Sequence, residues 1–188
     1  MATHLTTEQI AARLDHIRNA PRDDGTLALI VRRPAIDARE VLEQGELTVA
    51  DGLVGDTWKY RGSSRTPDFR AHPNMQINVM NVRVIEVLAQ EPARWPLAGD
   101  QLFVDLDLSE ANLPAGTQLA VGDAVIEVTP EPHTGCGKFV ERFGVDAMKF
   151  VNGTIGRPLR LRGLNARVVQ AGAIRRGDTV RKIAGPSS

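Results

Sequence analysis

The chain has one cysteine, Cys136, among its 188 residues. A single thiol excludes an internal disulfide and a zinc site built on several thiolates. That cysteine usage fits a reducing compartment. Net charge is missing as well, because 23 Lys and Arg balance 23 Asp and Glu. The balance predicts no strong grip on nucleic acid or on an anionic membrane. No apolar run approaches the roughly 20 residues that cross a bilayer. The N-terminus carries no basic stretch ahead of an apolar one, which argues against a signal peptide. The expectation is a soluble, cytoplasmic protein. Aromatic residues make up only 4% of the chain, so Trp58 and Trp95 are expected in the core or at its rim.

What is present reads as one globular domain. Hydrophobic residues at 42% and charged residues at 24% are ordinary for a chain with a real core. Basic residues do gather locally, over 157–167 and 175–182, and such a wall suits a small anion. The first segment reads helical: Thr6 and Gln9 have capping-box spacing, Ile10, Leu14 and Ile17 recur at helical intervals, and Pro21 with Gly25 ends the run. Residues 1–25 are therefore expected as an N-terminal helical extension, 26–183 as the main domain and 184–188 as a disordered tail.

Short strand-like runs follow at Thr26–Val31, Glu46–Val49, Met75–Met80, Gln101–Leu106, Thr117–Val121, Ala124–Thr129, Leu159–Leu161, Ala166–Ala171 and Thr179–Ile183. Turn residues separate most of them. The clearest hairpin joins Thr117–Val121 to Ala124–Thr129 through Gly122-Asp123, a pair suited to the positive φ of a two-residue turn. Helical spacing recurs over 81–90, with Asn81 as cap, and over 138–152, with a break at Gly144. Many short strands with few helices predict a mainly β fold, a closed or nearly closed barrel. The irregular stretch from Arg61 to Pro73 is the main long loop, a common place for function.

Cys136 sits in Pro130-Glu-Pro-His-Thr-Gly-Cys-Gly-Lys138, between two glycines and ahead of a helix. A thiolate is both a nucleophile and a soft metal ligand. Lys138 and Arg142 are candidates for positive charge near it. The competing reading is a buried, inert cysteine, but the flanks are Gly, Thr, His and Lys rather than apolar residues. His133 lies three residues earlier, and the two together are too few for a structural metal site. A thiol hydrolase using Cys136 and a histidine such as His72 is a further possibility in principle.

The chain resembles the MOSC domain family, named for the C-terminal domain of molybdenum cofactor sulfurases. The likeness rests on ordered pieces: Gly52-Leu-Val-Gly-Asp56; Met75-Gln-Ile-Asn-Val79 with its following helix; Gly99-Asp-Gln-Leu102; Leu113 to Gly122 with Ala124–Thr129; Cys136; Gly163–Gly172; and Gly177-Asp-Thr-Val180. It spans roughly residues 26 to 183, about one domain. Departures are Asp100-Gln101 in place of Glu-Asn, Met75 where Arg is frequent, and Gly135 where Pro is common.

The resemblance implies a MOSC-type β-barrel, akin to the pyruvate kinase β-barrel-like fold, with peripheral helices. It implies a molybdenum cofactor (molybdopterin) as ligand, with Cys136 as molybdenum ligand or persulfide-carrying catalytic residue. Reduction of N-hydroxylated compounds or sulfur delivery would be the activity. It also brings pyridoxal phosphate binding among the family's associated properties. The cofactor's phosphate needs cations, for which Arg61, Arg65, Arg70 and Lys138 are candidates, with Asp56 a further cofactor-site residue. With no second domain in view, a separate redox protein or cysteine desulfurase is the expected partner. The alternative is a non-catalytic barrel module that has lost the cofactor.

Overall fold

Strands in this chain alternate in what they bury. Leu27 and Ile30 of β1 (Gly25–Arg32) belong to one hydrophobic cluster, and Leu29 and Val31 to another. The same split divides Ile77 and Val79 from Met80 in β5 (Ile77–Asn81). Leu102 and Val104 part from Phe103 in β6 (Leu102–Asp105) in the same way. A period of two sends alternate side chains to opposite faces. Both faces of these strands are therefore buried, one inside a closed sheet and one beneath helices.

The computed structural model describes residues 4–184. In chain order its elements are α1 (Thr7–Ala11), α2 (Leu14–Arg18), β1, β2 (Glu40–Leu42), β3 (Gln44–Thr48), β4 (Gly52–Leu53), β5, α3 (Val82–Ala89), β6, β7 (Gln118–Val121), β8 (Ala124–Val128), α4 (Gly137–Phe143), α5 (Val145–Asn152), β9 (Leu164–Gln170), β10 (Gly172–Arg175) and β11 (Thr179–Ala184). Short 3-10 turns occupy Trp58–Tyr60, Pro73–Met75 and Pro92–Ala98.

Seven strands close a barrel in the order β1-β11-β7-β8-β9-β5-β6 and back to β1. Every neighbouring pair is antiparallel except β5 and β6, which α3 joins as a crossover, the connection that parallel strands require. The inner cluster draws side chains from all seven strands, so it is the filled barrel interior. Closure removes sheet edges. β2 extends beyond β1, and β10, β3 and β4 form a separate small sheet.

The helices cover the outer cluster. Asn81 caps α3 by accepting the Arg83 N–H at 2.8 Å. Both halves of the capping box at Thr6 and Gln9 form. The expected single N-terminal helix is interrupted at Ala12 and Arg13, yet Ile10, Leu14 and Ile17 still reach the same cluster as Phe139, Phe143 and Phe150. Gly144, at φ 94°, divides α4 from α5 as expected.

The strand expected at Leu159–Leu161 is instead a turn. Arg160 sits at φ 46° there, a conformation that ends a strand. Strands β2, β4 and β10 had no sequence signal of their own. The tail expected over 184–188 lies, beyond Ala184, outside the described residues. Among the described residues no helix is long and apolar enough to cross a membrane.

Candidate functional site

The C-terminal end of β1 and the N-terminal end of β6 lie at the same end of the barrel, because the two strands are antiparallel. Around that end runs a connected set of buried polar groups. Arg33, one residue past β1, is 95% buried at its side chain and pairs with Asp56, which is fully enclosed. Its Nε and Nη2 donate to the two carboxylate oxygens at 2.8 and 2.7 Å. Asp56 also accepts the backbone N–H groups of Arg33 at 3.0 Å and Trp58 at 2.8 Å. Burial works to raise the Asp56 carboxyl, but Arg33 and these backbone donors outweigh it and hold it below the usual carboxylate range. Nη1 of Arg33 continues the set by donating to Asn78 Oδ1 and the Gly99 carbonyl.

Asn78 carries the network inward, donating to Asn165 Oδ1 at 2.6 Å. Asn165 in turn donates to the Glu131 carbonyl at 3.1 Å. Gln101, fully buried, bonds the Asn78 N–H and the Gln76 carbonyl. Beside it Asp100 is enclosed and accepts Arg162 Nη1 at 2.8 and 3.0 Å. Burial pushes the Asp100 carboxyl up, against the pull of Arg162 and Arg33. His133 Nδ1 stands 3.5 Å from Asp100 without a hydrogen bond. Burial, with Arg162 and Arg33 nearby, drives the His133 pKa well below the ordinary histidine value, so the ring is neutral.

Cys136 is exposed and occupies the N-cap of α4. The preceding residue is pinned: the Gly135 N–H donates to Asn152 Oδ1 at 2.9 Å, and Asn152 Nδ2 returns a bond to the Gly135 carbonyl at 3.2 Å. One turn on, Phe139 packs under the Arg162 guanidinium, 5.0 Å from ring centroid to Cζ, and against Phe143. Phe139 thus fixes α4 to the Arg162–Asp100 pair. Lys138 pairs with Asp37 at 2.6 Å and Arg142 reaches the same carboxylate at 3.3 Å. These two bonds tie α4 to the loop that follows β1.

Arginines crowd on that loop. Arg39 is partly buried, and its Nε is enclosed without a partner. Burial and then the charges of Arg142, Arg33 and Arg61 lower its pKa. Arg61 is lowered likewise, by burial and then by Arg33. Arg33, Arg61, Trp58 and His72 line a cavity of about 180 Å³.

Of the expected site residues, the structure brings Arg61, Asp56 and Lys138 to this arginine group, with Asp56 and Lys138 already ion-paired. Arg65 pairs with Glu131 at 3.3 Å, and Arg70, 86% exposed at its side chain, lies 3.4 Å from Asp68. His72 lies 3.6 Å from Glu131. Sequence reasoning missed Arg33, Arg39 and Arg162. Signals existed for two of them: Arg33 lies in the Arg32-Arg33-Pro34 run that ends β1, and Arg162 lies in the basic stretch over 157–167. Among the described residues no group of three His, Cys, Asp or Glu is placed to hold a metal ion.

No family model and no curated protein matches this sequence. Solved structures do. The YuaD protein of Bacillus subtilis shares 18% identity, covers 83% of this chain and 93% of its own, and superposes with a TM-score of 0.60. YiiM of Escherichia coli shares 18% identity over 87% of this chain and 72% of its own, with a TM-score of 0.56. YiiM of Geobacillus stearothermophilus gives 14% identity, 85% and 75% coverage, and a TM-score of 0.56. These neighbours are MOSC-type barrels. The fold of this chain is a MOSC-type barrel. Its seven closed strands, parallel β5–β6 step and flanking helices are that architecture.

Proposed function

We propose that this MOSC-type barrel binds a molybdenum–pterin cofactor and uses Cys136 as a thiolate ligand or persulfide-bearing sulfur. The observation that carries the reading is the pairing of an exposed cysteine with arginines that lack acidic partners. Cys136 is on the helix that Asp37 ties to the Arg39 loop. The buried Arg39 Nε without an acceptor is the test of fit, because a phosphate oxygen is the acceptor such a donor needs. The residues present fit the group: Arg39 and Arg61 would hold its phosphate, and Cys136 would meet its metal.

Arg33 serves as a scaffold for that arrangement, with Asp56 holding its guanidinium in place. When bound, the group supplies two-electron chemistry such as oxygen removal from an N-hydroxylated compound. In the carrier form Cys136 accepts sulfur from a separate cysteine desulfurase. The exposed thiol suits such a donor, since a partner's persulfide must reach it.

Metal and pterin analysis of protein purified from a molybdenum-replete host tests the reading. Molybdenum and pterin fluorescence in the wild type, with metal lost in Cys136→Ser, is the expected result. Absence of both, together with an unmodified Cys136 by mass spectrometry after incubation with a desulfurase and cysteine, would refute it.

A further inference from the structure

A second cavity, of about 300 Å³, lies against residues 129–134, with the end of α5 and residues 156–164 as its other walls. At about 30 Å³ for each water-sized group, it holds on the order of ten non-hydrogen atoms. Cys136 is not among its lining residues, and neither are Arg39 and Arg61.

Two buried polar atoms of its lining residues lack partners. Arg162 is 93% buried, and Nη1 and Nη2 are taken by Asp100 and the Ala98 carbonyl. Its Nε–H has no acceptor. His133 Nδ1 is likewise enclosed and makes no hydrogen bond, with Asp100 Oδ1 3.5 Å away. An unpartnered buried polar group costs about 1–3 kcal/mol, so two of them at one cavity point to a ligand. The neutral imidazole suits either a donor or an acceptor role.

The charges around the cavity set the ligand's own charge. Arg162 is cancelled by Asp100. Arg160 is opposed by Glu110, and Glu131 by Arg65. Arg157 remains: it is an exposed lining residue, and among the described residues its side chain makes no hydrogen bond or ion pair. One uncompensated cation matches one negative charge. A phosphate group carries about −1.5 to −2 at neutral pH and would exceed it. A carboxylate also matches the planar guanidinium fork. Pro130, Pro132, Val151 and Leu164 give the remaining wall an apolar character.

We propose that this cavity binds a small organic monocarboxylate, its carboxylate held by Arg157 and the Arg162 Nε–H, its apolar body on the proline-rich wall. The site is independent of the cofactor reading, because the two share no residue.

Calorimetric titration of the full chain with acetate, hexanoate and phenylacetate tests it, with phenylacetamide and inorganic phosphate as controls. At least one monocarboxylate binds at a single saturable site, and phenylacetamide binds at least about tenfold more weakly than phenylacetate, the loss of a charge-assisted contact. Arg157→Ala weakens binding by about tenfold at an unchanged melting temperature, and Arg157→Lys falls between. Cys136→Ser leaves the affinity unchanged, which separates this site from the cofactor. Arg162 is left intact in these tests, since its loss would strand Asp100 in the interior. Absence of saturable binding by all three carboxylates overturns the inference. So does wild-type affinity in Arg157→Ala, or tighter binding of inorganic phosphate than of any carboxylate.

Discussion

Replacing Asp56 by alanine removes four accepted hydrogen bonds at once and leaves the Arg33 guanidinium charged in a nearly closed site. Breaking one partner of a buried ion pair costs about 3–5 kcal/mol, because the survivor keeps its desolvation penalty. A domain of this size has about 5–15 kcal/mol in total, so the loss is a large share. At about 2–4 °C per kcal/mol the melting temperature falls by roughly 6–20 °C. Urea unfolding followed by far-UV circular dichroism reads the change as a lower midpoint at unchanged slope. The double variant Arg33→Met, Asp56→Leu recovers much of the loss, since apolar replacement of both partners removes the stranded charge. The pair's contribution also has a sign in pH. Asp56 is depressed in the folded state, so its stabilisation is full above the unfolded value of about 3.9 and is lost as pH falls through the folded value. An Asp56→Ala protein within about 1 kcal/mol of wild type would refute the reasoning.

His133 makes a second pH prediction. Its folded pKa is lowered, so stability is full above about 6.5 and declines as pH falls below it, by up to about 1.4 kcal/mol per unit. His133→Gln flattens that decline relative to wild type in denaturant titrations between pH of about 6.5 and about 5, and parallel curves would contradict it. Gly163, at φ 102°, has no room for a Cβ beside the Val79 carbonyl, so Gly163→Ala costs more than about 2 kcal/mol. Gly177→Ala, at φ 89° in open space, costs only about 1–2 kcal/mol by the same unfolding assay. Asn152→Ala removes both bonds to Gly135 and destabilises by about 1–2 kcal/mol. Hydrogen exchange then shows the Gly135 amide opening faster, and an unchanged rate would mean that Asn152 does not hold the cysteine loop.

What the sequence made legible was local. The Gly122-Asp123 hairpin, the Asn81 cap, the Thr6–Gln9 box and the Gly144 break each depend on residues within a few positions of one another. Many short strands with few helices carried the barrel expectation, the ordered motifs around Cys136 added its type, and the closed seven-strand sheet agrees. The polar network was not legible, because its bonds are long in sequence: Arg33 to Asp56 spans 23 residues, and Arg162 to Asp100 spans 62. Asp100-Gln101 registered only as an exchange of charge and length, whereas in the fold Asp100 secures Arg162, and Gln101 caps the Gln76 carbonyl and the Asn78 N–H. Strands such as β10, four residues long, form because β3 is there to pair with them. The expected strand at 159–161 failed for the converse reason, a backbone turned at Arg160 with no neighbour to join.

Overall neutrality argued against a polyanionic partner, yet it left open how the charges are arranged. The fold gathers Arg33 and Arg39 from the loop after β1, Arg61 from a second loop and Arg142 from α4. Asp56 answers Arg33, and Asp37 answers Arg142 and Lys138. Arg39 and Arg61 have no acid in ion-pair contact among the described residues. Their mutual repulsion, felt in partial burial, is what an incoming anion relieves, and such relief is worth more there than at a solvated arginine. Arg70, 86% exposed and beside Asp68, has little to offer by comparison. On the function proposed above, a neutral chain would hold one small anion at Arg39 and Arg61 without becoming a general polyanion binder. Arg39→Ala should accordingly weaken cofactor retention more than Arg70→Ala, read as the molybdenum content of the purified variants. Equal losses would mean that the loops act through bulk charge instead of through this built site.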